Sequence, residues 1–396
     1  MRLLALPFAL LIAVQTHAAP PAAAQRLAQD AVVVDTHIDA PYNLIEHWAD
    51  LGGAVPQRHF DYPRARQGGL DVAFMSIYTS AGDDESGQAW QKAQMQIDAV
   101  EALVQRHPDK FALLRSPADV EKLRAGGRVL LALGMENGGP LGDDLANVAK
   151  FHARGVRYIT LAHSRSNRLS DASYEARRPL GGLSPFGEKV VAEMNRLGMM
   201  VDVSHLSDDA VRDVLRVSRA PVIASHSALR HFTPGFERNL SDDLVREIAA
   251  KGGVVQIAFG TAFVSRQAAD DTLAFFRELD ALRARNARAA AEGRPVESED
   301  AFEAEWEKRH PVPRVGLEVV LDHIDRAVEL AGVDHVGIGS DFDGVTALPT
   351  GLQSVADYPN LVAGLQARGY GDADIRKILG GNLLRVWREV EAAARR

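Results

Sequence analysis

A buried apolar run near the start of the chain ends in two side chains that could bind a metal ion. The segment Val32-Val-Val-Asp-Thr-His-Ile-Asp39 opens with three β-branched residues, which favour a strand buried on both faces of a parallel sheet. His37 and Asp39 are two residues apart, so on an extended strand their side chains point the same way. An imidazole and a carboxylate leaving one strand end together could hold one cation. Taken alone, the pair is better explained as an ordinary polar turn.

Further groups of the same chemistry follow other predicted strands of the chain. They are Glu136, His163, His205, His226 and Asp341. Each has a simple structural explanation by itself, such as an ion pair for Glu136 or a turn at Asp341-Phe-Asp343-Gly. Together with His37 and Asp39, however, they place four imidazoles and three carboxylates on one rim. Desolvation and repulsion would be heavy there unless cations were bound. The pattern therefore predicts a metal site.

The types of the ligands indicate which metal is expected. Imidazole with carboxylate and no thiolate suits Zn²⁺, with Mn²⁺, Co²⁺ or Fe²⁺ as alternatives. Three histidines and two acids fit two ions better than one, because a carboxylate can bridge a pair about 3.5–4 Å apart. A water held by such ions has a pKa of about 7 and supplies hydroxide at neutral pH. We therefore expect two Zn²⁺ per chain and a hydrolytic reaction.

The elements that must position these groups alternate between strands and helices. Helix N-caps are predicted at serines that precede a helix-starting sequence, such as Ser184-Pro185 and Ser207-Asp-Asp. Gly198 predicts the end of a helix. Eight strand-like runs lie between the helical segments, at 32–39, 70–78, 128–136, 156–163, 199–205, 221–226, 253–259 and 335–341. This alternation predicts an α/β fold, a (β/α)₈ TIM-type barrel. An open doubly wound sheet is the alternative.

One segment interrupts the alternation after strand seven. Residues 260–314 form an insertion ahead of the helix predicted near Gly316, and 286–300 within it has an exposed composition. Apolar residues recur there at about helical spacing, namely Leu273, Phe276, Leu279 and Leu282. The insertion follows the strand end where barrels carry their sites. Its interpretations are a partial lid, an oligomer contact such as that of a homodimer, or a tolerated surface insertion. We expect one barrel domain over 25–396.

Composition and the first residues predict an exported protein. The 396 residues are 46% hydrophobic and 25% charged, with a net charge of −8 and no Cys. A mildly acidic chain without basic clusters argues against nucleic acid as a partner. Residues 1–19 combine Met1-Arg2, an apolar run and small residues, the pattern of a cleaved secretory signal peptide, and the simplest destination is the periplasm. No other stretch could span a membrane, and a chain without Cys has neither disulfides nor a lipidated Cys.

Several longer motifs resemble one known family. The chain is similar to the renal (membrane) dipeptidase family of binuclear zinc peptidases from about Ala31 to Trp387. The motifs that carry the resemblance are Asp35-Thr-His-Ile-Asp39, Gly181-Gly-Leu-Ser-Pro-Phe-Gly187, Asn195-Arg-Leu-Gly198, Asp202-Val-Ser-His-Leu206, Ser225-His-Ser227, Arg238-Asn239 and Gly339-Ser-Asp-Phe-Asp-Gly344. Together they are a specific signal, although none suffices alone.

The resemblance implies a role for each candidate residue. His37 and Asp39 would hold one zinc, His205 and His226 the other, and Glu136 would bridge them. Asp341 matches the acid that moves a proton from the attacking water to the leaving amine. His163 matches a histidine that binds substrate and polarises the tetrahedral intermediate, and Arg238 matches the residue that binds the substrate carboxylate. The expected substrates are small dipeptides, including those with a D-residue at the carboxyl-terminal position.

Two departures from the family and three alternatives accompany this interpretation. Phe259 is followed by Gly260, where some members have a tyrosine, and the disulfides and lipid anchor of animal relatives are absent. Other binuclear barrel amidohydrolases typically carry His-x-His on strand one and a modified Lys on strand four, neither of which is found here. A mononuclear deaminase would leave Glu136 without a bridging role. A catalytically inactive binding protein on a barrel scaffold would be favoured by a replaced ligand, and every ligand is present.

Overall fold

A nearly closed barrel of eight parallel strands is the frame of the molecule. The computed structural model describes residues 19–394, so all but the last residue of the predicted signal peptide lies outside the described residues. The strands are β1 Val33–Ile38, β2 Leu70–Tyr78, β3 Phe111–Leu113, β4 Val129–Glu136, β5 Val156–Thr160, β6 Met200–Asp202, β7 Val222–Ser227, β8 Val254–Ile257 and β9 Val336–Ile338. They pair in the order β1-β2-β4-β5-β6-β7-β8-β9, all parallel. The predicted TIM-type barrel is confirmed.

The first and last strands meet at their carboxyl ends, where the barrel closes. The backbone N–H of Asp341 donates to the carbonyl of His37 at 3.1 Å, and that of Asp39 donates to the carbonyl of Phe342 at 2.9 Å. These bonds exclude an open doubly wound sheet, whose edge strands would lie far apart. They also bring the segments after β1 and β9 directly beside each other.

Helices cover the barrel and begin where the capping residues were predicted. Oγ of Ser184 accepts from the N–H of Gly187, that of Ser207 from Ala210, and Gly198 ends its helix with a φ of 75°. The helices are α1 Ala22–Asp30, α2 Ala40–Glu46, α3 Tyr62–Gly68, α4 Ala81–Glu85, α5 Ala89–Arg106, α6 Val120–Leu123, α7 Ala146–Arg154, α8 Pro185–Leu197, α9 Asp208–Val217, α10 Asp242–Ala250, α11 Thr261–Val264, α12 Arg266–Ala291, α13 Glu299–Arg309, α14 Leu317–Ala331, α15 Tyr358–Ala367, α16 Asp372–Arg376 and α17 Asn382–Ala393.

A separate apolar cluster fills the inside of the barrel below the polar rim. Phe74 of β2 packs against Tyr158 of β5, with ring centroids 5.5 Å apart, and against Trp387 of α17 at 5.3 Å. Gly134 on β4 makes room for this layer, because a Cβ there would lie 2.0 Å from Cζ of Tyr158. The last helix therefore closes the amino-terminal end of the barrel, and its carboxyl-terminal end remains available for a site.

Several strands end earlier than the sequence indicates. β5 stops at Thr160, β6 at Asp202 and β9 at Ile338, so His163, His205 and Asp341 lie in the loops beyond them. The apolar runs continue past the last sheet hydrogen bond, which sequence alone does not reveal. The short β3, which pairs with β4, was also not predicted because it has only three residues.

The insertion after β8 is mainly helical. It contains α11, α12 and α13, and α12 continues to Ala291 into the stretch predicted to be exposed. An aromatic cluster joins α12 to α13, with Phe275 5.8 Å from Phe302 and 5.8 Å from Trp306 between ring centroids. Within residues 19–394, no helix has the length and apolarity needed to cross a membrane.

Candidate metal centre

All eight residues singled out in the sequence meet at the carboxyl-terminal end of the barrel. Five of them line a cavity of about 380 Å³, namely Asp39, Glu136, His163, His205 and Asp341. His37, His226 and Arg238 are buried directly beside them, each with 2% exposure or less. Side chains from six strands and their following loops thus converge on one volume.

Glu136, the last residue of β4, lies at the centre of the group. Its Oε2 is 3.4 Å from Nε2 of His37. Its Oε1 is 3.0 Å from Nε2 of His205 and 3.2 Å from Nε2 of His226. One oxygen of this carboxylate therefore faces His37, and the other faces His205 and His226. Nε2 of His37 is also 3.4 Å from Oδ2 of Asp39, and ligand atoms of His37, Asp39 and Asp341 lie within 4.8 Å of one another.

Tyr158 determines which ring nitrogen of His37 carries the proton. The tyrosine hydroxyl donates to the carbonyl of Thr36 at 3.0 Å and lies 2.9 Å from Nδ1 of His37. Because its only proton is used on Thr36, the hydroxyl must accept from Nδ1–H. Nε2 of His37 is then the ring nitrogen that could offer a lone pair to a metal ion, and this buried atom makes no hydrogen bond with the described residues.

Asp202 and Ser225 orient His226 in a comparable way. Oγ of Ser225 donates to Oδ2 of Asp202 at 2.6 Å and lies 2.8 Å from Nδ1 of His226. The serine hydroxyl therefore accepts from Nδ1–H, which leaves a lone pair on Nε2 of His226. Asp202 is itself fixed by the N–H groups of Ser204 and Ser225.

The resulting convergence of acceptors fits a metal ion. Nε2 of His226 lies 2.8 Å from Nε2 of His205, which in turn is 3.0 Å from Nη2 of Arg238. Arginine can only donate, so His205 also presents a lone pair at Nε2. Two imidazole lone pairs and a carboxylate oxygen within 3.2 Å repel one another unless a cation lies among them. The donor set is the one that Zn²⁺ and similar ions prefer.

The surroundings set the protonation of these groups for metal binding. Burial lowers the pKa of His205 and His226 well below the usual range, and nearby Arg238 lowers both further. Burial raises the pKa of Glu136, but His37 and His163 outweigh it and keep the carboxylate ionised. His205 and His226 are therefore in the neutral form that binds metals, beside an anionic carboxylate. Burial alone would lower the pKa of His37, but Tyr158, Asp39 and Glu136 outweigh it and raise that pKa well above its usual range, so that a metal ion would replace a proton there. The pKa of Asp341 is raised well above its usual range by burial and by the nearby Asp39.

Comparison with known proteins decides the family of this chain. The sequence model described as Membrane dipeptidase (Peptidase family M19) matches residues 22–396. The chain belongs to this family. It is therefore a metallodipeptidase, a hydrolase, as the motifs around the metal centre predicted.

Solved structures agree with the family assignment. The probable dipeptidase PvdM from Pseudomonas aeruginosa is 29% identical, with a TM-score of 0.80 over 94% of this chain and 98% of that one. The dipeptidase AC, a metallopeptidase, is 27% identical with a TM-score of 0.73 over 91% and 98%. A metallopeptidase from Rhodobacter sphaeroides, solved with a phosphinate mimic of L-Ala-D-Ala, is 26% identical with a TM-score of 0.74 over 91% and 100%.

Strained backbone accompanies the site of this dipeptidase. Positive φ angles occur at Asn137, His205, Asp341 and Asp343, with values of 75°, 68°, 65° and 67°. Such angles cost energy for residues other than glycine and persist where the surroundings enforce them. Gly344 is required by a close approach, since a Cβ there would lie 2.2 Å from Oδ2 of Asp39 and 2.5 Å from Oδ1 of Asp341.

Arg238, in the loop after β7, is buried beside the cavity. Nη1 donates to Oγ of Ser227 at 3.0 Å and Nη2 to the carbonyl of His226 at 2.7 Å. The ring of Phe263 lies 4.9 Å from the guanidinium carbon, and buried Nε makes no hydrogen bond with the described residues. Arg238 is thus held in place while a donor remains for a bound anion.

The sequence did not reveal the residues that orient the candidate metal-binding histidines of this dipeptidase. Asp202 and Ser225 belong to motifs that were noted, but neither was assigned a role. Tyr158 lies in the middle of β5, where a tyrosine in a buried strand gives no signal of this role. Tyr174, in the loop after β5, and Phe263, in α11, also line the cavity. Nothing in their spacing distinguishes them from core aromatics.

Proposed function

We propose that the dipeptidase holds two zinc ions with His37, Asp39, Glu136, His205 and His226. The observation that supports this most directly is the carboxylate of Glu136, with one oxygen toward His37 and the other toward His205 and His226. A bridging carboxylate is the usual way to hold a metal pair. Such a pair would supply a hydroxide nucleophile at neutral pH and polarise the scissile carbonyl.

The remaining residues of the site handle protons and charge. Asp341 accepts the proton of the attacking water and returns it to the leaving amine, because its carboxylate lies in the same cluster as His37 and Asp39. His163 lies on the opposite side of Glu136, with Nε2 3.4 Å from Oε1, where it can stabilise negative charge on the former carbonyl oxygen. Burial keeps its imidazole mostly neutral by lowering its pKa.

Arg238 selects short substrates with a free carboxyl terminus. Its guanidinium lies beside His205, one of the candidate metal ligands, and its planar fork suits the carboxylate of a short substrate. The neighbour from Rhodobacter sphaeroides binds a mimic of L-Ala-D-Ala. We therefore include dipeptides with a carboxyl-terminal D-residue among the substrates of this enzyme.

The proposal is tested with purified protein, metal analysis and a panel of dipeptides. We expect about two zinc equivalents per chain and hydrolysis of L-Ala-L-Ala and L-Ala-D-Ala that chelation abolishes and zinc restores. Hydrolysis of non-peptide amides with intact dipeptides would favour a general amidohydrolase instead. Bound zinc without hydrolysis of any amide would favour an inactive binding protein.

Residues 1–19 support export of the mature enzyme to the periplasm. Their charged start, apolar run and small residues match a signal peptide. Cell fractionation and amino-terminal sequencing test this expectation, with a mature chain beginning near Pro20. A full-length chain in the cytoplasm would contradict it.

A further inference from the structure

A second cavity adjoins the catalytic one beneath the insertion. It has a volume of about 270 Å³ and lies between α12, α13 and the loop after β9. Gly344 and Val345 line both cavities, so the two spaces share a wall. Neighbouring residues 262 and 263 of α11 line one cavity each. The insertion therefore extends the substrate cleft of the barrel rather than lying apart from it.

Gly344 of the shared wall lies beside Asp39 and Asp341, on the His37 side of Glu136, whereas Arg238 lies on the side of His205 and His226. A dipeptide with its carboxylate on Arg238 therefore places its amino-terminal residue beside Gly344. The side chain of that residue can then extend into the second cavity past Gly344 and Val345, which line both spaces.

The walls of the second cavity are mainly aromatic and aliphatic. Trp306 stacks on His310 with ring centroids 4.0 Å apart and packs against Phe275 at 5.8 Å. Val312 and Pro313 complete the apolar surface. The charged groups that line it are the carboxylates Asp271, Glu303 and Glu307, of which Asp271 pairs with His310 at 3.2 Å. Apolar walls with negative charge favour a large apolar side chain and disfavour an acidic one.

We propose that this cavity is the specificity pocket for the amino-terminal residue and that it selects large aromatic or aliphatic side chains. The inference rests on the proposed function, because it assumes a dipeptide bound through Arg238. It assigns the insertion a role in substrate choice, one that the barrel alone does not supply.

The test compares kcat/KM for L-Phe-L-Ala, L-Glu-L-Ala and L-Ala-L-Ala. For the wild-type enzyme we expect L-Phe-L-Ala to exceed L-Ala-L-Ala by about tenfold or more, since filling an apolar pocket typically discriminates by this order. L-Glu-L-Ala should be the poorest substrate. Thr272→Trp, which fills the cavity from α12, should bring the Phe-to-Ala ratio close to one. Trp306→Ala, which removes a wall, should lower the same ratio.

A matched control and separate outcomes keep the test decisive. Trp90→Ala removes a partly exposed indole on α5, which packs on Phe151 away from the insertion, and should keep the wild-type ratio. A wild-type ratio near one, or equal ratios in the wild type and a folded Trp306→Ala variant, would overturn the pocket. Hydrolysis of none of the three dipeptides would instead contradict the proposed function.

Discussion

The hydroxyl of Tyr158 lies 2.9 Å from Nδ1 of His37 and, by donating its own proton to Thr36, leaves the Nε2 lone pair of His37 for a metal. Partners of this kind typically change metal affinity about 10–100-fold. Tyr158→Phe should therefore weaken the binding of one zinc by about that factor. Competition with a chelator measures the effect. Tyr62→Phe, which removes a hydroxyl bonded to Gly127 far from the site, is the control and should keep wild-type affinity.

Removal of the central carboxylate should affect both ions. Glu136→Ala takes away the oxygens that face His37 on one side and His205 and His226 on the other. Metal analysis should therefore find both zinc equivalents strongly reduced, whereas His226→Ala should reduce mainly one. His47→Ala, an exposed histidine, serves as control. A fully loaded Glu136→Ala protein would refute the bridging role.

Substitution of Asp341 should separate catalysis from metal binding. Asp341→Asn keeps the size of the side chain but cannot accept a proton, so kcat should fall by about 10²–10⁴-fold with zinc content retained. Kinetics and metal analysis on the same preparation check this expectation. Asp334→Asn is the control. Asp334 precedes the amino-terminal end of β9 and pairs with Lys377, so this variant should keep the wild-type rate. Loss of zinc together with activity would show that Asp341 is needed as a ligand.

Loss of Arg238 should remove recognition of the substrate carboxylate. A charge-assisted hydrogen bond contributes roughly 1.5–3 kcal/mol, so Arg238→Ala should lower kcat/KM at least about tenfold. The wild-type enzyme should discriminate against dipeptides amidated at the carboxyl terminus, and the variant should not. Arg246→Ala, an arginine on α10 paired with Asp243, is the matched control. Equal wild-type rates on free and amidated dipeptides would reject carboxylate recognition.

His323 should make the folded state sensitive to acid. Burial lowers the pKa of its imidazole to about 4, and Nδ1 accepts from the N–H of Leu229 at 3.0 Å. The unfolded chain takes up this proton near pH 6.5, whereas the folded chain resists it until about pH 4. The free energy of unfolding is therefore complete above pH 6.5 and should fall by up to about 3 kcal/mol as the pH drops to 4.

Chemical denaturation of wild type and His323→Gln across this range measures that contribution. Glutamine can accept from the N–H of Leu229 and donate to the carbonyl of Val264, the partner of Nε2, without titrating. The pH dependence of the stability of this variant should therefore be shallower than that of the wild type. Parallel curves for the two proteins would show that His323 titrates alike in the folded and unfolded chains.

That the candidate ligands meet at one rim could be predicted from a simple property of parallel sheets. All strands of a barrel end at the same rim, so polar groups after successive apolar runs must meet there. His37, Glu136 and His226 were identifiable for this reason without any knowledge of packing. The serine caps at Ser184 and Ser207 were predictable too, because a cap depends on residues only three apart.

Other features were decided by the tertiary structure. Tyr158 and His37 are 121 residues apart, so their contact depends on how β1 and β5 are placed around the barrel. The tautomers of His37 and His226 follow from such contacts, not from local sequence. The cavity beneath the insertion likewise exists because α12 and α13 pack beside Gly344 and Val345. Sequence determined which chemical groups share the rim, whereas packing between distant segments decided their protonation, their distances and the space beside them.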